Sequence, residues 1–135
     1  MNEREILFRG KNTRYNCWEY GFYTQFEPGH PCSGTYNGII HYIYNISGNP
    51  TDVEPETVGQ FTGEIDKNGV KIFEGDILDH FATYGYVIFG DGMFSMSSSA
   101  KVNFGYRQPL CYLDSDECEI VGNIFDNPEL LEESL

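Results

Sequence analysis

Punctuation constrains this chain more than any other feature of its sequence. Short runs of Val, Ile, Thr, Tyr and Phe are broken every few residues by Gly, Asn, Asp or Pro. No window keeps apolar residues at i, i+3, i+4 and i+7 for three helical turns, so the expected fold is mostly β. Asn68-Gly69 separates the runs Thr57 to Ile65 and Val70 to Leu78, and Asp91-Gly92 separates Tyr86 to Phe89 from Met93 to Met96. Both dipeptides supply the positive φ angles of tight hairpin turns, and a hairpin is expected at each. Ser97-Ser98-Ser99 has no packing face and reads as a loop. Asn127, Pro128 and Glu129 have the chemistry of a helix start, which predicts a short terminal helix over Pro128 to Glu133 with Leu130 and Leu131 against the sheet.

Side chains alternate across a strand, so Ile40, Tyr42, Tyr44 and Ile46 share one face while Ile39, His41, Ile43 and Asn45 share the other. Trp18, Tyr20 and Phe22 repeat the pattern upstream, and Val102, Phe104 and Tyr106 repeat it downstream. With ten Tyr and ten Phe in the chain, these sets point to sheet interiors before they point to a binding face. The segment Ser47 to Glu56 gathers two prolines with Gly, Asn and acids and is expected to be a linker. It divides the chain into an N-terminal β-meander, residues 1–50, and a C-terminal small barrel, residues 51–135.

Charge changes at the same place. The chain holds 8 Lys and Arg against 21 Asp and Glu, a net −13, yet residues 1–48 carry four of each sign and are neutral. The later residues carry the whole excess. A surface of that sign repels phosphate backbones and anionic lipid, so direct nucleic-acid and membrane binding are not expected. Met1 to Ile6 begins with charged residues and has no apolar signal-peptide core, and the longest apolar run, Ile39 to Ile46, is far shorter than a bilayer span. A cytoplasmic protein with free thiols at Cys17, Cys32, Cys111 and Cys118 is expected.

Candidate chemistry is sparse. Asp66, Asn68 and Gly69 faintly suggest a calcium loop, but the glycine comes too early and Val70 fills a ligand slot. Asp76, Asp79 and His80 place three possible metal ligands within five residues, a pattern that a strand end also explains. His30-Pro31-Cys32 sets an imidazole next to a thiol in sequence, which does not create a nucleophile. The cysteine spacings do not fit zinc knuckles. No phosphate-cradling loop, nucleophile elbow or His-Glu-x-x-His pair occurs. No catalytic residue, cofactor site or metal site is assigned.

The stretch Asp52 to Gly63, continuing through Asp66-Lys-Asn-Gly69 and Glu74-Gly-Asp76 to Leu78, closely resembles the signature of the YopX family of phage and prophage proteins. Arg4 to Gly10, Trp18 to Phe22 and Val121 to Leu131 resemble the family's two ends. The resemblance fades between Phe26 and Ile39 and from Met93 to Glu119, where partner specificity cannot be carried over. It implies an SH3-like C-terminal barrel, a phage or prophage setting and the bacterial cytoplasm. It implies no activity. The expectation is therefore a non-enzymatic, acidic protein-interaction module that contacts a host or phage protein, with a basic partner and a homo-oligomer both open, against the plainer reading of the acids as a solvated surface. The alternatives are a DNA-mimicking inhibitor of a host nucleic-acid enzyme, or a small metal-dependent hydrolase centred on Asp76, Asp79 and His80.

Overall fold

The structure is a computed structural model and describes residues 3–27, 38–98 and 107–132. Among them the strands are β1 Phe8–Asn12, β2 Trp18–Phe26, β3 Ile40–Tyr44, β4 Pro50–Ile65, β5 Lys71–Phe73, β6 Asp76–His80, β7 Thr83–Gly90, β8 Met93–Ser98, β9 Arg107–Pro109 and β10 Cys118–Asn123. The fold is mostly β, in two antiparallel sheets of order β1-β2-β3-β4-β5 and β10-β6-β7-β8-β9. The helix α1 is a single turn, Glu129–Glu132, with Leu130 and Leu131 half-buried. Val102, Phe104 and Tyr106 lie outside the described residues.

Two compact units form, one from Glu5 to Gln60 and one from Phe61 onward together with the first residues up to Arg4. Residues 50–56, expected as a linker, are instead the first half of the long strand β4. In the first unit the expected meander closes on itself, because β4 pairs with β1 as well as β3. The β1–β4 register shifts between Arg9 and Lys11. There the buried Thr57 hydroxyl accepts the Lys11 N–H at 2.8 Å and donates to the Glu54 carbonyl at 2.6 Å, so the bulge leaves these backbone groups satisfied.

Closure decides which face is inside. Ile43 and Val53 are completely buried, and Phe8, Tyr23 and His41 join on the same side, with the Tyr23 hydroxyl 2.6 Å from His41 Nδ1. The register of β2 with β3 sets Phe22 opposite Tyr44 and Phe26 opposite Ile40, all on the opposite face. Phe22 is 68% exposed and Phe26 55%. The face expected to line the interior therefore points outward, and the mixed face supplies the core. At Gly21, where β2 changes partner from β1 to β3, an added Cβ would run into the Tyr44 carbonyl, so only glycine fits.

The second unit is built around Ile72, Leu78, Val87, Met96, Leu110, Leu113 and Cys118, with Phe94 and Ile120 packed against them. Each fully buried aliphatic chain there contributes about 1.5–3 kcal/mol. The β4–β5 hairpin turns at Asn68-Gly69 as expected. Only Gly69 takes positive φ, however, and Asp66 N–H to Val70 C=O closes a turn with a bulge. The run expected from Val70 to Leu78 breaks at Glu74-Gly75, where Gly75 has φ +93°. At Asp91-Gly92 both residues have positive φ, and Gly90 pairs with Met93 across a two-residue turn. Ser97 and Ser98 belong to β8 rather than to a loop.

One hairpin carries no sequence signal. His80 pairs with Thr83, and the two residues between them, Phe81 and Ala82, sit at φ 52° and 63°. Left-handed backbone costs a residue with a Cβ about 1–2 kcal/mol, and most for a bulky one. Replacing Phe81→Asn together with Ala82→Gly gives the turn its preferred residues. Urea denaturation should show the double variant more stable by roughly 1–2 kcal/mol; an unchanged or lowered midpoint would contradict this backbone assignment.

Candidate functional site

Asp66 is 3% exposed and begins the β4–β5 turn. A buried carboxylate needs donors, and this one receives three. Its Oδ1 accepts from the Asn68 and Val70 N–H groups, each at 2.9 Å, and its Oδ2 accepts from the Ile120 N–H at 3.1 Å. The neighbouring Lys67 N–H donates to the Cys118 carbonyl at 2.8 Å. The turn is thereby fastened to β10, 54 residues further along the chain. Both oxygens serve the fold, which accounts for the Asp-x-Asn-Gly pattern without a calcium ion. Asp66→Asn should lower stability by roughly 2–4 kcal/mol in urea denaturation, because an amide loses charge-assisted bonds and turns an N–H₂ toward an N–H.

Asp76 is 2% exposed, and its Oδ2 accepts the Phe73 N–H at 2.7 Å across the Glu74-Gly75 bend. Gly75 N–H donates to Val87 C=O and Gly75 C=O accepts from Ile124 N–H, which ties the bend to its neighbours. Along β6, Asp76 and His80 share a face with Leu78, whereas Asp79 lies on the other beside Tyr84 and Glu119. The three candidate ligands therefore do not gather. Among the described residues no group of three His, Cys, Asp or Glu side chains is placed to hold a metal ion. His80 instead meets the ring of Phe81 edge-on, 4.5 Å between centroids.

Carboxylates do converge on one thiol. Cys118 is buried opposite His80, and its pKa is pushed up to about 11 from 9.0 by burial first, then by the charges of Asp114, Asp66, Glu117 and Asp79. It stays protonated at neutral pH and is no nucleophile. Cys17 and Cys111 are exposed, and neither is disulfide-bonded. The Cys17 thiol is also raised, by desolvation and then by its hydrogen bond to Glu19 and that residue's charge. His30 and Cys32 lie outside the described residues.

Two expectations follow for Cys118. Iodoacetamide labelling read by peptide mass should modify Cys17 and Cys111 in the native protein and Cys118 only after unfolding. Cys118 also binds its proton more tightly folded than unfolded, so the stability tied to it is complete below about pH 9 and is lost as pH rises through about 11. Unfolding free energy should fall across that window in the wild type and fall less in Cys118→Val.

Two surfaces went unread in the sequence. One is the outward aromatic face of the first unit, flanked by a groove of about 340 Å³ lined by Asn12 to Tyr15, Tyr42 and Pro50 to Asp52. Asn12 Oδ1 shapes its wall by accepting the Arg14 and Tyr15 N–H groups at 2.8 and 3.2 Å. The other is the β6–β7 hairpin tip, where Phe81 is 69% exposed at the sheet end from which the acidic residues preceding Cys118 also emerge.

A family model described as YopX protein matches residues 7–132. The crystal structure of protein EF1440 from Enterococcus faecalis is similar to this chain, with a TM-score of 0.57, 24% identity, and coverage of 96% of this chain and 99% of that one. At that identity the likeness concerns the fold. No curated protein matches.

Proposed function

The chain belongs to the YopX protein family, and from that premise we propose that it is a non-enzymatic interaction module of phage or prophage type whose acidic C-terminal unit docks a basic protein in the bacterial cytoplasm. The carrying observation is where the charge lies. Residues 61–135 hold four Lys and Arg against fourteen Asp and Glu, a net −10 of the chain's −13. Asp66 and Asp76 turn inward to hold backbone, and exposed acids such as Asp114, Asp116 and Glu117 define the unit's surface field. Such a field steers cationic partners and repels nucleic acid. In this reading the C-terminal unit is the SH3-like barrel that the family resemblance implies, used as a scaffold for its loops.

The inward acids also weigh against DNA mimicry, which needs carboxylates arrayed outward at phosphate-like intervals. Absence of a gathered metal-ligand set among the described residues gives the hydrolase alternative no support. Among the described residues no helix is long and apolar enough to cross a membrane.

Column retention tests the reading. The protein should be held by an immobilised Lys-rich peptide at low ionic strength, released as salt is raised, and pass unretained over double-stranded DNA. Retention on DNA, or none on the peptide, would overturn it.

A further inference from the structure

The β6–β7 hairpin turns on residues that do not suit a turn. Phe81 and Ala82 both hold left-handed backbone, where Asn-Gly would form the same connection without strain. Burial of the ring does not offset this. Phe81 is 69% exposed, its ring contact is the edge of His80, and it contributes nothing to the apolar core. Phe81 is thus an exposed aromatic at a hairpin tip, held in strained backbone.

Cys118 pairs with His80, so the turn Ser115–Glu117 that leads into Cys118 lies at the same end of the sheet as Phe81. Asp114, Asp116 and Glu117 are all exposed there. Of this unit's basic side chains, Lys67 is held by Glu119 at 3.2 Å, Lys71 lies over the Phe61 ring, and Arg4 is exposed. Burial first, and then the charges of Asp114, Asp66, Glu117 and Asp79, raise the Cys118 thiol. An apolar knob bordered by negative charge is complementary to an apolar socket bordered by positive charge.

We propose that Phe81 is the anchor by which the acidic unit docks its partner, a protein presenting an apolar socket rimmed by Lys and Arg. This rests on the interaction-module reading and adds the point of contact. Aromatic anchors seated in desolvated pockets dominate protein interfaces, and a surrounding ring of charge sets encounter rate and partner choice. Anionic membranes and nucleic acids offer the wrong sign.

The test uses the full chain and two synthetic peptides of equal charge, an amphipathic helix with a Leu face bordered by Lys and a Lys-Ser peptide without Leu. Calorimetric titration is combined with amide shifts to locate the contact. The Leu-Lys peptide should shift residues 79–84, and its affinity should fall roughly tenfold or more in the Phe81→Asn, Ala82→Gly variant. That variant keeps the turn and is expected to be the more stable protein, so a loss of binding is not a loss of folding; a thermal melt checks this. The Lys-Ser peptide should be indifferent to it. Neutralising Asp114→Asn, Asp116→Asn and Glu117→Gln should weaken both peptides. Binding that survives the turn variant but not the neutralised one removes the anchor and leaves the acidic module standing. If neither variant matters, or if anionic vesicles or DNA bind at the tip instead, both readings fall.

Discussion

Three backbone N–H groups converge on the carboxylate of Asp66, and the arrangement of the second unit follows from that convergence. Two of the donors belong to the residue's own turn and the third to Ile120 in β10. A lone buried carboxylate would be costly, whereas one satisfied by three donors becomes a clamp between segments distant in sequence. Through it β10 is held on one side by the β4–β5 turn and on the other by β6. Cys118, at the start of β10, is thereby packed into the core, and the acidic turn before it is set at the end of the sheet where Phe81 emerges. Asp76 repeats the device on a smaller scale by closing the bend between β5 and β6.

The same logic separates what the sequence discloses from what it conceals. Asn68-Gly69 and Asp91-Gly92 are legible because turn chemistry is local, and the β content is legible because side-chain alternation is local too. Alternation names two faces without saying which is wet. In β3 the set Ile40, Tyr42 and Tyr44 looks like the interior, yet Ile43 is the fully buried residue, because closure of β1 onto β4 turns the face it shares with Phe8, Tyr23 and His41 inward. Phe81-Ala82 is invisible as a turn since neither residue favours left-handed backbone, and only the pairing of His80 with Thr83 reveals it. The family-like residues Asp66 and Asp76 attract attention as possible ligands. Their true partners, an N–H three residues back in one case and one 54 residues away in the other, could not be read from spacing.

Charge and architecture then divide the labour. Carboxylates most typical of the family are spent on holding backbone, and those left over colour the surface of the C-terminal unit. In the proposed reading the unit presents these acids around Phe81, which the fold displays on a left-handed turn. Burial, and after it the carboxylates around Cys118, opposes the ionisation of that thiol.

Hydrogen exchange at the Asp66 clamp tests the central physical claim most directly. Native-state exchange followed by NMR at increasing denaturant should show the amides of Asn68, Val70 and Ile120 opening together, with the free energy of global unfolding. Rapid exchange of Ile120 independent of the two turn amides would mean that β10 is not fastened by this carboxylate, and the account of how the acidic end is positioned would be wrong.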